Sequence, residues 1–190
     1  MSEYFRNFAH RSSKNELSTI MKIIHTADLH LGQVIYQHYD RCDEHGHFFD
    51  QLTAWCCEER PDALVVSGDI YDIQQPSAAT RKVFNDYFAS LQRSLPSMHI
   101  VVTAGNHDSA SRIQADHSIW ALHNTTLIGS SPSLDLLDSE DERWMDDYII
   151  RLGSGYIIAL PYMTGERKEL IQRLLDKVAE GNTDGKPVVI

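Results

Sequence analysis

Three short β-branched runs, each ending in a polar signature, constrain this chain more than any other feature. Met21-Lys22-Ile23-Ile24-His25-Thr26 leads into Asp28-Leu29-His30-Leu31-Gly32. Asp62-Ala63-Leu64-Val65-Val66-Ser67 leads into Gly68-Asp69-Ile70-Tyr71-Asp72, and His99-Ile100-Val101-Val102-Thr103-Ala104 into Gly105-Asn106-His107-Asp108. Apolar runs of this length suit strands covered on both faces, as in a parallel sheet. Between the first two, Phe48, Phe49, Leu52, Trp55 and Cys56 recur at helical spacing, with Trp55 expected in the core; between the second and third, Val83, Phe84, Tyr87, Phe88, Leu91 and Leu95 do so, and His25, inside the first run, is expected to be packed. Ser77, after Pro76, suits the N-cap of that second helix. The order β-α-β-α-β predicts an α/β fold, a parallel sheet core with right-handed crossovers and flanking helices.

The rest of the chain changes character. Residues 1–20 lack a sustained apolar period and are expected to form a loosely held N-terminal extension, leaving 21–190 as the folded domain. Ser130 to Asp147 is acidic and predicts a solvated loop. Tyr148 to Leu152 and Tyr156 to Leu160 flank Gly153-Ser154-Gly155, the pattern of a hairpin. Leu170, Ile171, Leu174, Leu175 and Val178 mark another amphipathic helix. Lys186 to Ile190 then opens what resembles a core strand, so the expected fold is truncated before its C-terminal strands, as in the N-terminal part of a longer protein.

Charge and cysteine usage narrow the function. With 17 Lys+Arg against 27 Asp+Glu the formal charge is −10, which argues against a module that grips nucleic acid by a broad basic face. An enzyme that meets phosphate through bound cations is not excluded, because cations reverse the local sign. No apolar run approaches the roughly 20 residues of a membrane span. Cys42, Cys56 and Cys57 form no CxxC pair, so a disulfide framework is not expected and a reducing cytoplasm is.

In a parallel sheet the three signatures would lie along one edge, where open α/β folds place their ligands. Asp28, His30, Asp69, Asp72, Asn106 and His107 would converge there. Carboxylate and amide oxygens with imidazole nitrogen suit Mn²⁺, Fe²⁺ or Zn²⁺. Taken singly each residue has a structural explanation, such as a cap or a turn. Three such strand ends in succession do not.

The sequence DxH, GDxxD, GNHD resembles the calcineurin-like metallophosphoesterase superfamily. Within it, the run from His25 to Gly32, Arg41 with Glu44-His45, Gly68 to Asp72, Gly105 to Ser109 and Ala121 to Thr126 are similar to the SbcD type of DNA exonuclease subunit. The resemblance implies two divalent metal ions, manganese foremost. Asp28 and His30 would ligate the first, Asp69 would bridge both, and Asn106 would ligate the second. His107 would protonate the leaving oxygen, and Asp72 would orient it and raise its pKa. Cations about 3.5–4 Å apart activate water and neutralise phosphate oxygens, and imidazole donates protons near neutral pH.

The resemblance also implies phosphodiester hydrolysis on DNA in repair, recombination and replication, an SbcC-type ATPase partner and a nuclease homodimer. Arg41 is open to two readings, a phosphate contact or an ion pair with Glu44 or Asp43. The family's later histidines have no counterpart, since His123 is the last of ten. Only part of the metal shell is therefore expected in this chain, with weak metal binding and little turnover. Two alternatives stand beside the nuclease: a small-molecule phosphodiesterase or phosphatase, and a catalytically inactive binding scaffold.

Overall fold

The computed structural model describes residues 20–165 and 167–190, so the expected extension lies, apart from Ile20, outside the described residues. The three apolar runs form β1 (Ile23–Ala27), β4 (Ala63–Ser67) and β5 (His99–Thr103). They pair in parallel with a fourth strand, β6 (Thr125–Ile128), in the order β1-β4-β5-β6. The β6 strand carries little sequence signal, because it is four residues long and half threonine, with no apolar run to mark it. A short hairpin, β2 (Val34–Ile35) and β3 (Tyr39–Asp40), follows β1.

The crossovers are the two expected helices. One is α1 (Cys42–Glu59); the other is α2 (Ala78–Ser94), capped by Ser77, whose hydroxyl accepts the Thr80 N–H at 3.0 Å. Two short helices, α3 (Ala110–Ala115) and α4 (His117–Ala121), connect β5 to β6. A second sheet holds β7 (Ile149–Leu152), β8 (Gly155–Ile158) and β9 (Val188–Val189). The β7–β8 hairpin turns at Gly153-Ser154, as the glycine pair implies. The last helix is α5 (Lys168–Gly181). No helix among the described residues is long and apolar enough to cross a membrane.

Alternation along the central strands shows why their apolar runs are unbroken. Leu64, Val66, Ile100 and Val102 face α1 and α2, packing with Phe49, Leu52, Phe84, Phe88 and Leu91. Their neighbours Ala63 and Val101 face the other way, onto Ile150 and Ile157 of the second sheet. That sheet is covered in turn by Leu170, Leu174 and Val178 of α5. The layers therefore run helix, sheet, sheet, helix, and a second sheet covers the face where a helix was equally open. Each fully buried side chain such as Phe88 or Leu64 contributes about 1.5–3 kcal/mol.

Three local expectations are corrected. Trp55, expected in the core, is 52% exposed, because the buried stripe of α1 runs through Phe49, Leu52 and Cys56 and leaves it on the flank. His25, expected to be packed, is exposed, with its Nε2 3.0 Å from Ser67 Oγ on the neighbouring strand. The acidic segment is not wholly a solvated loop: its 3-10 turns at Leu134–Asp138 and Arg143–Asp147 bury Met145, and Lys177 pairs with Glu142 at 2.6 Å. The strand β9 pairs in parallel with β8 at one edge of the second sheet, with both of its side chains exposed.

Candidate metal centre

Register brings the signatures together. Ala27 is opposite Ser67, and Ser67 opposite Thr103, so β1, β4 and β5 end in line. Beyond that line the loops stay bonded: His30 N–H donates to Asp69 C=O at 2.9 Å, Leu31 N–H to Ile70 C=O at 2.9 Å, and Gly68 N–H to Thr103 C=O at 3.0 Å. Asp28, His30 and Asp69 all take left-handed backbone angles (φ 55°, 46° and 44°). For residues other than glycine that conformation costs about 1–2 kcal/mol each. Strain of this kind persists where the surrounding structure over-determines the chain, characteristically at functional sites.

One donor atom from each of Asp28, His30 and Asp69 lies within 4.8 Å of the other two, and the same holds for His30, Asp72 and His107. His30 joins the two groups. Its Nε2 is 3.8 Å from Asp69 Oδ2 and its Nδ1 is 3.2 Å from Asp72 Oδ1. The rings of His30 and His107 meet edge to face, with centroids 4.9 Å apart. Asp69 is buried, whereas Asp28 and His107 face solvent. His107 N–H donates to Asp69 Oδ1 at 3.0 Å, which ties the third signature to the second. Asn106 is exposed and lies between two residues that both approach Asp69.

Gly105 explains how close that approach is. A Cβ there would lie 2.0 Å from Asp69 Oδ1 and 2.1 Å from the Asp69 main-chain nitrogen. The space a side chain would need is occupied by the buried carboxylate itself.

Residues 21–183 match the family model described as calcineurin-like phosphoesterase. The chain belongs to this family. Among curated relatives, the SbcD component of the SbcCD nuclease of Escherichia coli (strain K12) is 38% identical over 111 residues, covering 58% of this chain and 27% of that protein. The corresponding component from Rhodobacter capsulatus is 37% identical over 99 residues, 52% of this chain and 24% of the relative. That of Bacillus subtilis (strain 168) is 34% identical over 109 residues, 57% and 27% respectively. The matched part thus spans about a quarter of the length of these relatives.

The donors at this site suit the divalent cations that the family implies. Aspartate oxygens and an imidazole within one cation's reach form a hard-to-borderline set. His30 Nδ1 is buried without a hydrogen bond, although Asp72 Oδ1 is only 3.2 Å away, so the ring is aimed but not saturated.

Asp72 holds His107 differently from the arrangement expected. Its main-chain carbonyl, not its carboxylate, accepts the His107 Nδ1–H at 2.8 Å. The reason is local. Asp72 N–H is bonded to Leu31 C=O at 3.2 Å, which draws this segment alongside the first signature and leaves the carboxylate beside His30. The carbonyl bond, reinforced by the charges of Asp69, Asp72 and Asp108, raises the His107 pKa above its ordinary value.

Arg41 is paired within the protein. Its Nε donates to Glu44 Oε2 at 2.6 Å and its Nη1 to Gln33 Oε1 at 2.7 Å. Gln33 in turn donates from Nε2 to Asp72 Oδ1 at 3.0 Å. Sequence reasoning assigns no role to Gln33, because nothing in its neighbourhood shows which way an amide side chain will turn.

Asp108 enters the third signature only as its last residue, yet it is the most heavily bonded carboxylate of the site. Buried, it accepts Gly105 N–H (2.8 Å) and Ile70 N–H (3.0 Å) on Oδ2 and Tyr71 N–H (2.9 Å) on Oδ1. It thereby stitches the loop after β5 to the loop after β4. The available signal is a carboxylate three residues beyond a glycine, the spacing of a side chain that caps its own turn.

Proposed function

We propose that this chain carries the phosphoesterase portion of a metal-dependent nuclease of the SbcD type, hydrolysing DNA phosphodiesters in repair, recombination and replication. The observation that carries the hydrolytic part is the convergence of Asp28, His30 and Asp69 within 4.8 Å, with His107 edge-on to His30. The nuclease part rests on the relatives, each of them the SbcD component of an SbcCD nuclease. An SbcC-type ATPase partner and self-association into a homodimer belong to the same reading. So does a cytoplasmic setting, in keeping with three free cysteines.

Asp28 and His30 would hold one cation, Asp69 would offer an oxygen to each of two, and Asn106 would serve the second through its amide oxygen. Two divalent cations, Mn²⁺ foremost, supply when bound the activation of water and the neutralisation of phosphate oxygens. His107 keeps its Nδ1–H on the Asp72 carbonyl, so the proton it can give away is the one on Nε2 in the charged ring. The carbonyl bond on Nδ1 favours that charged form, which a general acid for a departing alkoxide requires. Arg41, with Nε and Nη1 already engaged, supports the site more directly than it meets phosphate. The acidic balance fits a protein that approaches DNA through cations rather than through a basic face.

The test combines metal and ligand binding. Calorimetric titration of the chain with Mn²⁺ should show weak binding that Asp69→Asn abolishes; no binding to the unsubstituted chain overturns the metal centre. Anisotropy of labelled single- and double-stranded DNA should rise only with Mn²⁺ present. If no DNA binds while a cyclic nucleotide or an aryl phosphodiester does, the substrate is a small molecule. Turnover by these 190 residues should be slight, because no histidine follows His123; robust hydrolysis contradicts the assigned ligand count.

A further inference from the structure

We propose that Gln33 is a positioning residue for the metal centre, part of a relay from Glu44 through Arg41, Gln33 and Asp72 to His30. The inference rests on the metal-centre reading above and adds to it a group with no direct contact to metal or substrate.

Tautomer choice is where the relay acts. His30 presents Nε2 toward Asp69 and Nδ1 toward Asp72. To ligate a cation through Nε2, the neutral ring must carry its proton on Nδ1, with the Nε2 lone pair free. A carboxylate at Nδ1 selects that tautomer and turns the ring, the usual role of an acid behind a ligating histidine. Asp72 Oδ1 is the oxygen so placed, 3.2 Å away and not yet aligned for a hydrogen bond.

The orientation of that carboxylate is set by Gln33. The turn from His30 places the residue, its N–H donating to His30 C=O at 3.1 Å. Its Nε2 then donates to the same Asp72 Oδ1 at 3.0 Å. An amide side chain can flip, and the flipped form would set its oxygen against the carboxylate. Arg41 prevents this: its Nη1–H occupies Gln33 Oε1 at 2.7 Å, so only the NH₂ end can face Asp72. Arg41 is itself held by Glu44 at 2.6 Å. Each link offers one donor to one acceptor, and the direction of donation runs unbroken from guanidinium to carboxylate.

Gln33→Met keeps the volume and removes both hydrogen bonds. Calorimetric titration with Mn²⁺ should show affinity weaker by up to about tenfold, the lower end of the loss when the group directly behind a metal ligand is removed, because Asp72 itself stays in place. The ¹⁵N shifts of His30 at pH 7.5 should move from a dominant Nδ1–H tautomer toward a mixture. Arg41→Met should weaken Mn²⁺ binding in the same direction but less. The double variant should bind no more weakly than Gln33→Met alone, because the two act through one path.

The outcomes separate the readings. If the unsubstituted chain binds Mn²⁺ and Gln33→Met binds equally well, the relay is refuted and the metal centre stands. If the unsubstituted chain binds none, the metal centre itself fails. A lowered urea midpoint with unchanged Mn²⁺ affinity and unchanged His30 shifts assigns Gln33 a purely structural role. Arg41→Met that lowers DNA affinity but leaves Mn²⁺ affinity intact overturns the relay and returns Arg41 to a phosphate contact.

Discussion

Replacing Asp108 by asparagine tests whether the GNHD loop is held by the carboxylate charge or merely by its shape. The substitution conserves volume, so the effect is confined to hydrogen bonding. Three N–H groups converge on this buried side chain, two on Oδ2 from Gly105 and Ile70 and one on Oδ1 from Tyr71. The best asparagine rotamer keeps its oxygen where two donors meet and turns its NH₂ against Tyr71 N–H. That orphans one buried donor, at about 1–3 kcal/mol, and removes the charge assistance of the other two bonds, about 0.5–1 kcal/mol each. The sum is about 2–5 kcal/mol, a large fraction of the stability of a domain this size. Equilibrium urea unfolding should show the loss as a lower midpoint with an unchanged slope. Amide exchange at Ile70, Tyr71 and Gly105 should accelerate before the global transition. A change under about 0.5 kcal/mol, or unaltered protection at those three amides, refutes the clamp.

Other substitutions test independent parts of the structure. Gly105→Ala drives a Cβ into Asp69, 2.0 Å from its Oδ1, so Mn²⁺ affinity should fall about tenfold or more in titration; unchanged affinity shows that the loop yields at no cost to the site. His99 is half-buried between Asn124 and Thr126, at 2.8 Å from each, and loss of solvent contact lowers its pKa in the fold. The stability it contributes is therefore intact above about pH 6.5, its unfolded value, and is lost as pH falls through the lowered folded value. Unfolding measured from pH 7.5 to 5 should be less pH-dependent in His99→Gln, and equal slopes reject the assignment. Phe88→Ala, at a fully buried position, should cost about 3–5 kcal/mol in urea; a cost under about 1 kcal/mol contradicts the packing of α2 on the sheet.

Much of this protein is decided by local sequence, because side-chain periodicity depends on a residue and its near neighbours. The unbroken apolar runs at 63–66 and 100–102 require cover on both faces, and Phe49, Leu52, Phe84 and Phe88 at helical spacing require α1 and α2. Placing Asp28, His30, Asp69, Asn106 and His107 just past strand ends follows from the same pattern. Tertiary structure alone decided the rest. The alignment of Ala27, Ser67 and Thr103 is a register between strands far apart in the chain, settled only when the sheet closes. Whether a second sheet or a helix covers the far face depends on what packs there, and an apolar face is compatible with either. Which partner a polar side chain takes is a competition among donors brought close by folding. Asp72 therefore gives His107 its carbonyl and turns its carboxylate to Gln33 and His30, and Asp108, which caps the Gly105 N–H of its own turn, becomes a clamp only when folding brings the remote N–H groups of Ile70 and Tyr71 to it.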